Sequence, residues 1–433
     1  MSELSTQLAA ALPQDFGSGP DWVKALRGAG AEQFRAHGLP TRKDESWKYT
    51  GLGLLDQREI QLALTAETPV SGSTHPAPLV EAAFQVNILD GRILDRNGTP
   101  PAGLTVLPLA EALNGEVDGL QALLESLPDT QKESGSGHGF TALNTATLAA
   151  GLVIHVAAGA DAGRLLINWS TLGGAVSRLF NTRVCIIVEQ DAKLELLEQF
   201  ESQNGSSNAC NIVMQADLGE GAVLQHIRFQ QESEDAVLVT RTEVSQQADS
   251  DYSHYGFDLG GGLVRHDLRT SLKGSGAKTG INGAYLLDGN RHVDNHTMVD
   301  HIAPGCSSDQ YYRGVAGGSG RAVFNTAVYV HPGADGTEAT QSNANILLSA
   351  RAEVDTKPEL EIYADEVIAS HGATVGQLDE QAVFYLRSRG LSEKEARQLL
   401  TTAFCRSVSD KLTDPVLGEV ISQRMMDVMP QAD

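Results

Sequence analysis

Between Phe140 and Leu378 the chain strings together short apolar runs, among them LVIHV, RLLINW, KLELLEQF, NIVMQAD, GAYLLDG and RAVFNTAVYV. Gly, Asp, Asn and Ser occupy the joints, and no helical periodicity interrupts the series. Repeated βαβ units are thereby excluded, because each such crossover needs its own helix. Two all-β solutions remain: a sandwich or barrel, and a parallel β-helix of stacked coils. The series is long for one ordinary sandwich, and Asn recurs at the corners as stacked coils require, so the β-helix is favoured. No fixed period is visible, and on these grounds alone the sandwich stays open. Composition agrees with many tight corners, since 44 of the 433 residues are Gly and only 5% are aromatic.

The flanks read differently. Residues 1–139 form a helical and mixed α/β region in which Trp22, Leu26, Phe34, Trp47 and Tyr49 are candidate core anchors. Within it ETPVSGSTHPAP (67–78) reads as a linker and the polar tract Asp129–Gly139 as a flexible one. Residues 379–433 read as helical. Ser392 and Glu395 spell a capping box, and Ala396, Leu399, Leu400, Ala403, Phe404 and Val408 make one apolar face. Asp414 followed by Pro415 starts a further helix with Leu417, Val420, Ile421 and Met425 on one side. The expected organisation is therefore 1–139, a β body over 140–378, and a helical unit over 379–433.

A formal charge of −23 with no basic stripe argues against nucleic acid and anionic membranes as partners. No apolar run approaches the roughly 18 residues of a membrane span. The opening MSELSTQLAAALPQDF lacks the basic and apolar regions of an export signal, so the cytoplasm is the expected compartment. The four cysteines, Cys185, Cys210, Cys306 and Cys405, are too far apart for a CxxC pair; Cys185 reads as core and Cys306 as a turn residue. LKGSGAKTG has Leu272 and Ala277 where a phosphate loop needs Gly, and GGSGRA and LGGGL read as corners. In RHVDNHTMVDH, His292, Asp294 and His296 share a strand face at spacings of about 6.8 Å. Two histidines that far apart cannot chelate one ion without a bend, and His301 points the other way, so a structural role is expected.

The run Arg351–Gly390 alternates apolar and polar residues at Leu360, Ile362 and Ala364, then changes to helical spacing at Val383, Phe384 and Leu386. Between them His371 is followed by Gly372 and Ala373, where a neighbouring backbone can approach an imidazole closely. The strings DTKPELEI and SHGATVGQLD, with TEATQSNANILLSARAEV, RAVFNTAVYV and PTRKDESWKYT (Pro40–Thr50), closely resemble the SufB/SufD family, scaffold proteins of the SUF machinery for iron–sulfur cluster assembly. The SufD branch is the closer match.

That resemblance implies a mainly β fold: a central right-handed parallel β-helix flanked by N-terminal and C-terminal helical regions. It implies a non-catalytic scaffold that pairs with a SufB-type subunit and docks a SufC-type ABC ATPase, which would hydrolyse the ATP. A transient cluster or iron would be shared with the partner, reduced flavin is possible in the assembled complex, and a homodimer is possible when the chain is alone. His371 matches the family's interface histidine and is the expected iron or cluster ligand, with Ser342 and Gly372 beside it on the pairing surface, which is expected among the strands between Arg321 and His371. SufB-type chains carry Cys at the position of Ser342 and Glu at that of Gly372, and many SufD chains carry Cys at that of Ala369, so thiolate ligands are expected from the partner. Six basic residues against three acidic ones between Phe384 and Lys411 mark an ATPase-docking patch, with Arg387, Arg389, Arg397, Phe404 and Arg406 as its candidates. Pro40–Thr50 is expected to be pinned by Trp47 and Tyr49, with a partner or flavin contact as the other reading. Competing readings are a polysaccharide-active β-helix enzyme using Asp294, Asp300 and Asp309, and a SufB-type subunit that holds the cluster itself.

Overall fold

The computed structural model describes residues 2–13, 19–64, 75–115, 117–127, 138–174, 176–202 and 205–430. Most of the 67–78 linker and of the Asp129–Gly139 tract lies outside them.

Two long sheets make the body. One contains, in hydrogen-bonded order, Gly151–Val156, Ser177–Val188, Ala209–Leu218, Val237–Gln246, Leu263–Leu272, His292–His301, Arg321–Val330 and Glu353–Ile362. The other contains Asp161–Thr171, Lys193–Ser202, Val223–Gln231, Asp251–Asp258, Lys278–Leu287, Ser307–Ala316, Glu338–Leu347 and Ile368–Gly376. The chain alternates between the sheets and every one of these neighbours pairs in parallel, which is a parallel β-solenoid of about 7 turns and not a sandwich. Val237 pairs with Leu263, Leu263 with His292, His292 with Arg321 and Arg321 with Glu353, steps of 26, 29, 29 and 32 residues. This drift in coil length hides the repeat from the sequence.

Alternation sets what fills the interior. Along Ser307–Ala316, Ser308, Gln310 and Tyr312 face inward and are buried. The rings of Tyr312 and Tyr285 fit only because Gly283 and Gly314 stand opposite them; a Cβ at either glycine would run into the facing ring. Helices cover both outer faces. Leu4, Leu8, Phe34, Trp47, Phe140 and Leu143 pack on Leu179, Val237, Val239 and Leu263 of the first sheet. The C-terminal helices Glu380–Ser388, Glu393–Ser409 and Pro415–Asp427 pack on Ile227, Phe257, Leu286 and Val315 of the second.

Local punctuation accounts for these helices. Ser392 and Glu395 form both bonds of the capping box, and Asp414 accepts from the Val416 and Leu417 N–H groups with Pro415 inside the first turn. The packed face of Glu393–Ser409 is rotated from the expected one: Ala396, Thr401, Cys405 and Val408 are buried, whereas Leu399 and Ala403 face outward. Among the described residues no helix is long and apolar enough to cross a membrane.

The two ends of the solenoid differ. At the N-terminal end Leu104–Pro108 lies antiparallel on Gly151–Val156, and the hairpin Phe84–Leu89/Arg92–Gly98 extends the other sheet. At the C-terminal end Glu353–Ile362 pairs only with Arg321–Val330, and Ile368–Gly376 only with Glu338–Leu347. Both terminal strands therefore keep an outer edge without a strand partner among the described residues.

Candidate functional site at the open end of the solenoid

His371 stands in the middle of the terminal strand Ile368–Gly376, opposite Gln341 of the strand beneath it. Gln341 is buried, faces the interior and donates to Thr326 Oγ1 at 3.0 Å. The shared column places the His371 imidazole above the interior at the last coil, where no further coil covers it. It is exposed and, among the described residues, has no hydrogen-bond or ion-pair partner. Gly372 lies opposite Ser342 in the same ladder. A Cβ added to Gly372 would meet nothing within 4 Å, so nothing in the chain itself requires glycine there. Ser342 accepts from Arg313 Nη1 at 3.2 Å, and that guanidinium sits over the Tyr311 ring, 3.7 Å from its centroid.

The structure thus brings His371, Ser342 and Gly372 together on two adjacent strands. The expected pairing surface narrows, however. Arg321–Val330 and Glu338–Leu347 are bonded on both sides, so of the strands at this end Glu353–Ile362 and Ile368–Gly376 are the ones that can accept another strand edge. Around them stand Ile362, Tyr363, Ile368 and Val375, exposed by 42, 56, 69 and 43%. Cys185, Cys306 and Cys405 are buried, and burial pushes the thiols of Cys185 and Cys405 up to about 12. Among the described residues no three His, Cys, Asp or Glu side chains gather as a metal site. The open end offers one imidazole and no thiolate.

Elsewhere the candidate residues are already engaged. Arg265 donates to Asp294 at 2.5 Å and Asp267 at 2.7 Å and sits 4.0 Å over the Trp47 ring; Thr50 bonds Asp294 and His292, and His296 bonds Asp294. Burial works to raise the Asp294 carboxyl, but Arg265, His296 and Thr50 outweigh it and hold the group well below the usual carboxylate range. Burial pushes His292 down to about 4 against the pull of Asp294. The histidine segment and Pro40–Thr50 therefore meet, one as the docking face of the other, a contact that neither sequence reading anticipated. Asp300 is held by Arg269 and His331 on the first sheet, and Asp309 by Lys411 and Thr340 on the second. Asp294, Asp300 and Asp309 form no carboxylate pair of the kind a glycosidase needs.

The docking candidates divide. Arg397 is bound to Glu393 and Glu380, Arg406 to Asp410 and Glu419, and Arg387 to Glu393. Arg389 lies over the Tyr385 ring, 5.2 Å from its centroid, and Phe404 is half-buried near Arg313. The local positive excess is largely paired. What sequence reasoning missed is an apolar set on the same helices, Phe384, Tyr385, Leu399 and Val416, of which Phe384 is 71% exposed. Adjacent Phe384 and Tyr385 next to buried Val383 already signal it, because one helix face cannot bury all three.

Comparison with known proteins gives a consistent result. The family model described as "SufBD protein N-terminal region" matches residues 17–166, and "SUF system FeS cluster assembly, SufBD core domain" matches residues 171–404. The iron–sulfur cluster assembly protein SufD of Escherichia coli (strain K12) is 30% identical over 413 residues, covering 92% of this chain and 91% of that protein. An iron–sulfur cluster assembly SufBD family protein of Synechocystis is 29% identical over 430 residues, covering 95% and 92%. The chloroplastic protein ABCI7 of Arabidopsis thaliana is 27% identical over 420 residues, covering 94% and 86%.

Proposed function

Since the chain belongs to the SufBD family of iron–sulfur cluster assembly proteins, we propose that it is a non-catalytic, SufD-type scaffold whose open solenoid end pairs with a SufB-type subunit. The C-terminal helices would receive a SufC-type ATPase, which supplies the ATP hydrolysis. In this reading the iron or nascent cluster is cargo: His371 donates one imidazole nitrogen to it across the seam, and the partner supplies the thiolates this chain lacks there. One observation carries the reading: among the described residues the imidazole is unengaged, and it is centred on a terminal strand whose outer edge is unpaired. In the absence of the partner the same end would serve a second copy of this chain.

The test is co-expression with SufB-type and SufC-type subunits. His371→Ala removes no internal contact, so its stability stays within about 0.5 kcal/mol of the parent and the complex keeps its mass in native mass spectrometry. The expected result is a drop in bound iron and sulfide per complex; undiminished content ends the role of His371. Ile368→Asp, which charges the exposed edge, is expected to reduce pairing with the SufB-type subunit. Full pairing by that variant ends the assignment of the open end.

A further inference from the structure

Inside the solenoid, four coils below the terminal strand, lies a polar site independent of the seam and of the function proposed for it. Gly256 faces inward between Arg228 and Gly283 in the ladder. The three atoms nearest the place a Cβ would take at Gly256 are His254 Nε2 at 3.2 Å, Tyr312 Oη at 3.8 Å and Arg228 Nη2 at 3.9 Å. All three side chains are at most 1% exposed. Arg228 gives Nη2 to Asp258 at 2.7 Å. Its Nε and Nη1, both ring nitrogens of His254 and the Tyr312 hydroxyl find no hydrogen-bond partner in the protein. So many unpartnered buried groups around one point are foreign to a dry interior.

We propose that the space over Gly256 is a binding site for ordered water, held by Tyr312, Arg228 and His254. The charges select the ligand. Of the three groups facing Gly256, Arg228 is the one whose charge is fixed, and Asp258 answers it at 2.7 Å, so no net charge is left there to hold an ion. The ligand must instead accept from Tyr312 and Arg228 and donate to the neutral His254 ring, whose protonation burial strongly disfavours. Water does both and is the smallest ligand that can. On the neighbouring coil the space over Gly283 is filled by the Tyr312 ring, which confines the site to Gly256.

Tyr312→Phe keeps the ring over Gly283 and removes only the hydroxyl. If that hydroxyl binds water, the urea midpoint of the variant falls; if it is unpartnered in a dry interior, the midpoint holds or rises, which overturns the proposal. Gly256→Ala puts a methyl into the space the water needs, and oxygen-17 relaxation dispersion of the folded chain is expected to lose part of its long-residence amplitude. An undiminished amplitude in the folded variant also overturns the proposal. Should Gly256→Ala not fold, the direction of the Tyr312→Phe shift decides.

Discussion

Arg265→Leu is the perturbation whose cost the structure makes most explicit. The guanidinium is buried, bonded to Asp294, Asp267 and the Ser46 carbonyl, and stacked on Trp47, so it ties Pro40–Thr50 to the strands beneath. Removing one partner of a buried pair leaves the other charge without compensation, which costs about 3–5 kcal/mol; losing the cation–π contact adds roughly 1–2 kcal/mol, and the apolar burial of leucine offsets part of the sum. A net loss of about 3–5 kcal/mol at pH 7 is expected in urea titrations. The pH dependence separates this cause from simple misfit. In the parent the Asp294 carboxyl lies below its unfolded value, so its stabilisation is complete above about pH 4 and does not change between pH 7 and 5. Without the guanidinium that carboxyl loses the strongest of the groups that hold it down and burial pushes it up; the folded variant then takes up a proton as pH falls, and its deficit shrinks at pH 5. Trypsin should also cut the variant faster at the exposed Arg42, Lys43 and Lys48. A loss below about 1 kcal/mol, or an equal loss at both pH values, refutes the latch; the first figure is the top of the range for exposed pairs.

Two further outcomes follow from the same geometry. Burial holds His254 and His266 well below the ordinary histidine value and brings His292 and His301 down to about 4, so their stabilisation is present above about pH 6.5 and lost on acidification; Glu232, raised by burial to about 7, works the opposite way. Urea midpoints should therefore fall from pH 6.5 to 5, with the net uptake on unfolding growing to about three protons at pH 5, and a flat profile contradicts the neutral buried imidazoles. Phe384→Asp alters an exposed side chain and should change stability by less than about 0.5 kcal/mol while weakening ATPase capture in a pull-down; undiminished capture removes this helix from the docking surface.

How much of this was legible in the sequence depends on which way residues face. The β body, its corners and the caps of the C-terminal helices are spelled by local chemistry: Asp414–Pro415 and Ser392–Glu395 act within one turn. The coil repeat was hidden because its length drifts from 26 to 32 residues. The polar interior was hidden for a different reason. In DYSHYGFD the inward positions hold Tyr252, His254, Gly256 and Asp258, so the usual rule that apolar residues point in fails where the cross-strand partners are themselves polar. His371 was found only through resemblance, since one exposed imidazole has no spacing pattern of its own. Pro358 carried an unused signal: proline inside a strand marks an edge, and Pro358 stands in the terminal strand Glu353–Ile362.

The asymmetry of the two ends bears most directly on the proposed pairing. An unpaired strand edge is a template for association, and folds that remain monomeric blunt it with short strands, charges or covering segments. At the N-terminal end the outermost strands, Leu104–Pro108 and Arg92–Gly98, pair on one side each, and the outer strand Arg92–Gly98 is blunted by Arg92, Asp95 and Arg96. At the other end Glu353–Ile362 carries Glu353, Asp355, Lys357, Glu359, Glu361 and Pro358, a blunted edge, whereas Ile368–Gly376 has no Asp, Glu, Lys or Arg and exposes Ile368 and Val375. Protection is thus applied to one terminal strand and withheld from its neighbour, the one that presents the imidazole. A partner edge laid on Ile368–Gly376 would satisfy the free backbone groups, cover Ile368 and Val375, and bring its own side chains to His371 in one step.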